Sequence, residues 1–102
     1  MQKRTAMIIL VGCMRVATGK RDDALIALEP LVAGSRAESG CVGYSMGFDI
    51  SDDHLLRIFE AFEDEAALAA HRATSHVAEW EAAASMLGIS DLELKRYEAQ
   101  AN

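Results

Sequence analysis

Residues 41–62 read CVGYSMGFDISDDHLLRIFEAF, and their patterning decides the architecture. Val42, Tyr44, Met46, Phe48 and Ile50 alternate with Gly43, Ser45, Gly47 and Asp49, the period of two that a strand with unlike faces requires. Ser51-Asp52-Asp53-His54 is a polar turn. From Leu55 to Phe62 the apolar residues return, with Leu55, Phe59 and Ala61 on one parity and Leu56, Ile58 and Phe62 on the other. Two such runs joined by a short polar turn predict an antiparallel hairpin.

Upstream, Ala6 to Val16 (AMIILVGCMRV) is apolar on both parities, which predicts a strand buried on both faces. Thr18-Gly19-Lys20 ends it. A helix is predicted from near Asp22, a suitable N-cap, with Leu25, Leu28 and Val32 at helical spacing. Pro30 inside that pattern predicts a kink or a break, and Glu38-Ser39-Gly40 closes the helix. Downstream, Asp64 can cap a helix over EDEAALAAHRA (63–73), and Thr74-Ser75 offers a second cap. HVAEWEAAASML (76–87) continues helically to Gly88, and Asp91 to Ala99 reads as a last short strand.

The order strand, helix, strand, strand, helix, strand is the split β-α-β repeat. It predicts an α+β, ferredoxin-like βαββαβ domain with a four-stranded antiparallel sheet, occupying residues 1–102 as one unit. Two helices cover only one face of such a sheet. The first and third strands are nevertheless apolar on both parities, so a homodimer packing sheet to sheet, a dimeric α/β-barrel-type assembly, is the expected cover.

Composition narrows the class. The chain has 102 residues, 51% apolar and 25% charged, with two cysteines, which excludes a disordered segment and a disulfide scaffold. Net charge is −6, and residues 41–102 hold twelve acidic and four basic side chains, an acidic surface unsuited to nucleic acid. No apolar run approaches the roughly 18–20 residues that span a bilayer, so no membrane partner is expected. Gln2-Lys3-Arg4 before an apolar run resembles a secretory signal, but Arg15 cuts that run short and the segment reads better as a strand. Cys13 and Cys41 lie in separate strands without metal spacing, which fits reduced thiols in a cytoplasmic protein.

Few residues suggest chemistry. On a continuous helix His71 and His76 lie roughly 140° apart, so they share no face. A metal site would need the helix to break at Thr74-Ser75 and a carboxylate such as Glu60 to join, and none is expected. Otherwise His71 is a core or edge histidine and His76 sits in a new N-terminal turn, bonded to backbone. Tyr44, Met46, Phe59, Phe62, Trp80 and Met86 could line a pocket between sheet and helices that suits a flat aromatic ligand. Gly40, Gly43 and Gly47 lack dinucleotide-binding spacing, Glu63-Asp64-Glu65 is a helix start, and no nucleophilic triad can be argued.

LRIFEAFEDEAALAAHRATSHVAEW (56–80), together with RAESGCVGY (36–44), resembles the antibiotic biosynthesis monooxygenase domain family. There an aromatic-Glu-x-aromatic strand leads into an acidic helix start and Ala-x-x-x-His-x-x-Thr-x-His, and a Glu-Pro-Gly-Cys-x-x-Tyr segment lies upstream. The resemblance spans roughly residues 6–98. It implies the ferredoxin-like dimer and oxygenation of quinol-like or polyketide-like aromatics by molecular oxygen, with no cofactor. It carries site roles to His71 and His76 as catalytic histidines, His71 being the better base. Tyr44, Met46, Phe59, Glu60, Phe62 and Trp80 would then bind substrate. Phe62 stands where tryptophan is common, Phe59 where tyrosine is, and Ser39 and Ser75 where prolines are. Haem is disfavoured, because the first strand contains no asparagine and Trp80-Glu81 occupies the region of the haem-ligand histidine.

Two other functions are compatible. The segment FEAFEDEAALAAHRATSH also resembles relatives that process a breakdown product of a quorum-sensing signal, implying an isomerase or lyase of a small phosphorylated hydroxyketone. Its phosphate would need cations, for which Arg57, Arg72, Lys20 and Arg21 are the candidates. A non-catalytic dimeric small-molecule-binding domain would instead show a cavity filled by its own Met and Phe side chains, with neither histidine reaching it.

Overall fold

A computed structural model of the chain describes residues 6–102, and the charged tip Gln2-Lys3-Arg4 lies outside them. The elements run β1 (Met7–Arg15), α1 (Arg21–Arg36), β2 (Cys41–Asp49), β3 (Asp52–Phe62), α2 (Glu65–Arg72), α3 (Ser75–Ala84) and β4 (Ser90–Ala99). The four strands form one antiparallel sheet in the order β2-β3-β1-β4. This is the expected ferredoxin-like α+β arrangement, with the second helix divided in two. No helix among the described residues is long and apolar enough to cross a membrane.

The core lies between the sheet and the helices. Ile8, Leu10, Met14 and Val16 point into it from β1 and its end, and Leu56, Ile58 and Phe62 from β3; Leu28, Leu31 and Leu68 meet them from the helices. Burying each such side chain contributes about 1.5–3 kcal/mol. Register aligns polar and apolar residues in rows across the covered face. Tyr44, Glu60 and Leu10 stand side by side, and Met46, Ile58 and Gly12 form the next row, continued by Leu94 of β4.

Several local expectations give way. α1 buries Ala24, Leu28, Leu31 and Ser35, so its packed stripe is rotated away from Leu25, which is 42% exposed. The helix passes through Pro30 without a break. Pro30 faces solvent, where water can take the carbonyl its ring leaves unpaired. Lys20, not Asp22, is the N-cap, and Asp22 and Asp23 sit in the first turn at the positive end of the helix. In β2 a register shift between Cys41 and Gly43 turns Val42 outward, and Ile50 lies in the turn, fully exposed. α3 stops at Ala84, and Gly88 adopts φ 60° in the following turn instead of closing the helix directly. Gly12 marks a close approach, since a Cβ there would fall 1.7 Å from the Glu93 carbonyl oxygen of β4.

Candidate active site between the sheet and the helices

His71 occupies the last turn of α2, where only about 4% of its surface is exposed. Its ring lies 4.8 Å from the Phe62 ring and 5.3 Å from that of Tyr44, centroid to centroid. α2 begins on Asp64, whose Oδ1 accepts from the Ala67 amide at 2.8 Å, the cap the sequence predicts. The helix ends at Arg72. Thr74 then donates its hydroxyl to the His71 carbonyl at 2.7 Å and accepts from the Val77 amide, capping α3. This break lets residues five apart face the same way. The His71 and His76 centroids are 6.1 Å apart.

Glu38 is what they face. Its Oε2 lies 2.9 Å from His71 Nδ1 and 2.6 Å from His76 Nε2. A carboxylate oxygen accepts, so both imidazole nitrogens donate to it. The Glu38 backbone is pinned in the turn after α1: its amide donates to the Ser35 carbonyl, and its own carbonyl accepts from the Cys41 amide. Arg36 ties the same turn to β2 through its Nε, which donates to the Tyr44 carbonyl at 2.9 Å. On the other side of the imidazole, His71 Nε2 is 3.5 Å from Glu60 Oε1. Burial pushes the Glu60 carboxyl above its ordinary range, and the charges of His71 and Arg72 only partly oppose this. Burial and the neighbouring Glu60 also hold the Tyr44 phenol in its neutral form well into alkaline pH. The Cys41 thiol is raised by burial and by Glu38, which suits an unreactive cysteine.

Next to His71 lies a cavity of about 320 Å³. Leu10, Met14, Leu31 and Ile58 make its apolar walls, Leu92 and Leu94 of β4 close one side, and Val77 and Trp80 of α3 the other. Its polar groups are Tyr44, Glu60, His71, Arg72 and Glu81. Of the residues expected to bind substrate, Tyr44, Met46, Glu60 and Trp80 line it. Phe62 does not; it is fully buried and holds the His71 ring. Phe59 stands on the opposite face of the sheet, because odd positions of β3 point away from the helices, and Met86 lies in solvent. His76 reaches Glu38 rather than the cavity or the backbone bond expected of it.

Three contributors, Glu38, Glu81 and Gly34, carried no site role in the sequence alone. Glu38 lay inside the segment RAESGCVGY but carried no spacing that tied it to a histidine. Glu81 looked like ordinary helix surface, whereas Arg72, a candidate cation for a phosphate, does line the cavity. Gly34 was a legible signal, a glycine inside a helix where alanine is more stable by roughly 1 kcal/mol. A Cβ at Gly34 would sit 2.7 Å from His76 Nδ1, so α1 is bare there because the ring lies against it.

Residues 7–83 match the family profile described as Antibiotic biosynthesis monooxygenase. The chain belongs to that family. It is 30% identical over 92 residues to the Bacillus subtilis (strain 168) protein named "Putative monooxygenase YcnE", a match covering 90% of this chain and 97% of that one. Among solved structures, PA3566 from Pseudomonas aeruginosa superposes with a TM-score of 0.87 at 28% identity, covering 98% of this chain and all of the other. A Bacteroides thetaiotaomicron protein described as a "Possible Oxidoreductase" gives 0.82 at 29% identity, over 92% of this chain and 98% of that one. Family membership fixes the fold and a monooxygenase-like class, and the side chains around His71 decide what chemistry is available here.

Proposed function

We propose that the chain is a cofactor-independent monooxygenase for a quinol-like or polyketide-like aromatic, with His71 as the base. The observation that carries this reading is the orientation of one imidazole. Its Nδ1–H is held by Glu38, which leaves the Nε2 lone pair at the wall of an apolar cavity. An enol or phenol bound there gives its proton to Nε2, and the Glu38 carboxylate stabilises the imidazolium. The phenol of Tyr44 is a donor beside the developing oxyanion, and Glu60, whose carboxyl burial pushes above its ordinary range, lines the same wall. The substrate anion passes an electron to molecular oxygen and recombines to a peroxide; breaking its O–O bond leaves a carbonyl and releases water. A ring CH₂ thus becomes C=O with one O₂ consumed and one water formed, and the substrate supplies every electron. The apolar walls exclude water that would quench the anion.

The hydroxyketone-phosphate reading finds less support. Arg72 is the one proposed cation on the cavity wall, and Glu60 and Glu81 oppose it there, while Arg57 pairs with Asp49 through a 2.8 Å contact. A purely binding role would suit a cavity no histidine reached, and His71 lines this one.

The active unit we infer is a pair of chains in the cytoplasm, with the uncovered sheet faces packed together. Val11, Phe59 and Tyr97 are each 40–50% exposed on that face, a contiguous apolar patch that a second copy would remove from water. Oxygen-electrode traces with anthrones and hydroquinones test the enzymatic reading. Uptake that falls at least a hundredfold in His71→Ala supports it, whereas uptake equal to that variant across the panel overturns it.

A further inference from the structure

The three side chains at the α2–α3 break have a capacity the proposed reaction does not use. Glu38, His71 and His76 each offer one donor atom, and the three atoms lie within 4.8 Å of one another. We propose that Glu38, His71 and His76 form a binding site for a divalent transition-metal ion, with zinc as the type ion.

Two imidazole nitrogens and one carboxylate oxygen are a recurrent donor set for a four-coordinate ion that keeps its last position for water. The two contacts to Glu38, 2.6 and 2.9 Å, are shorter than the roughly 3.3 Å between neighbouring donors around zinc, so the carboxylate must withdraw slightly. Glu38 can do so because it stands in a turn, not inside a helix. Both rings are packed in place, and their donor nitrogens, as much as 4.8 Å apart, must close toward that same spacing as the carboxylate withdraws. His71 is held between Phe62 and Tyr44, and His76 rests against the bare backbone of Gly34.

Two further features fit an ion at this point. His71 has a second carboxylate, Glu60, 3.5 Å from its other nitrogen. Carboxylate–histidine–metal chains of this kind fix the tautomer that leaves the inner nitrogen free to coordinate. A groove of about 420 Å³ has Glu38 in its lining, beside Glu63, Ala70 and Thr74, and so reaches one of the three donors. Glu63 adds negative charge along that route.

Coordination has a chemical consequence. An ion on Nδ1 places the remaining ring hydrogen on Nε2, the nitrogen the oxygenation needs bare. This consequence rests on the function proposed above, and it makes the metal-bound protein an inactive form that a chelator reactivates.

Cobalt(II) titration of chelator-treated protein tests the site without turnover. The expected result is saturable one-to-one binding with the intense visible bands of a four-coordinate centre, abolished by stoichiometric zinc. His76→Ala and Glu38→Gln should each weaken binding at least a hundredfold, and Glu60→Gln by about tenfold. Gly34→Ala keeps all three donors yet displaces the His76 ring, so it should weaken binding even if a donor variant fails to fold. Absence of saturable binding at millimolar cobalt, or binding unchanged in both Glu38→Gln and Gly34→Ala, overturns the site. Zinc inhibition of oxygen uptake is the separate arm. If cobalt binds and no substrate draws oxygen, the site stands and the oxygenase reading fails. If oxygen is consumed and cobalt does not bind, the reverse holds.

Discussion

Gly34 and Phe62 show how much of this site depends on residues that perform no chemistry. Gly34→Ala gains helix propensity worth roughly 1 kcal/mol but drives a methyl group into the His76 ring. Thermal unfolding is therefore expected to change little, while the NMR shifts of the His76 ring move. Phe62 is fully buried and carries the His71 ring, so Phe62→Ala should cost about 3–5 kcal/mol in urea unfolding and loosen the base as well. Tyr44 has a direct pH signature. Its folded-state pKa is raised, so its contribution to stability is complete below the unfolded phenol value of about 10 and disappears as pH rises through the folded one. Stability should fall on the alkaline side, and Tyr44→Phe should remove that part of the slope.

At the level of secondary elements, the break between α2 and α3 does the positioning. Thr74 spends its hydroxyl twice, on the His71 carbonyl and the Val77 amide, so Thr74→Ala should cost about 1 kcal/mol and let the two imidazoles drift apart. Chemical denaturation measures the first effect and cobalt affinity the second. β4 is held to β1 by close backbone approach at Gly12, where any side chain would meet the Glu93 carbonyl. Gly12→Ala is expected to destabilise by more than about 2 kcal/mol and to open the cavity wall formed by Leu92 and Leu94, which amide exchange along β4 would register.

The molecule as a whole is a thin two-layer body, with principal extents of 54 × 28 × 18 Å. Its radius of gyration, 14.4 Å, exceeds the roughly 13 Å of a compact domain this size. Such a shape leaves the outer sheet face unshielded. If two copies cover it, Val11→Asp combined with Phe59→Asp should yield folded monomers in sedimentation velocity, where the parent chain sediments as a dimer.

The succession of strands and helices along the chain and both α2–α3 caps could be read from the sequence, because periodicity and capping are local properties of neighbouring residues: the alternation from Tyr44 to Phe48, Asp64 before a helix former, Thr74 ahead of Val77. The two histidines were equally visible, yet their relationship was not. Whether His71 and His76 cooperate depends on Glu38, more than thirty positions upstream, and on the space left by Gly34. Likewise Phe59 and Glu60 are adjacent in the chain and end on opposite faces of the sheet. Contacts between distant segments come from packing helices on strands, and no linear spacing encodes which carboxylate will arrive beside an imidazole.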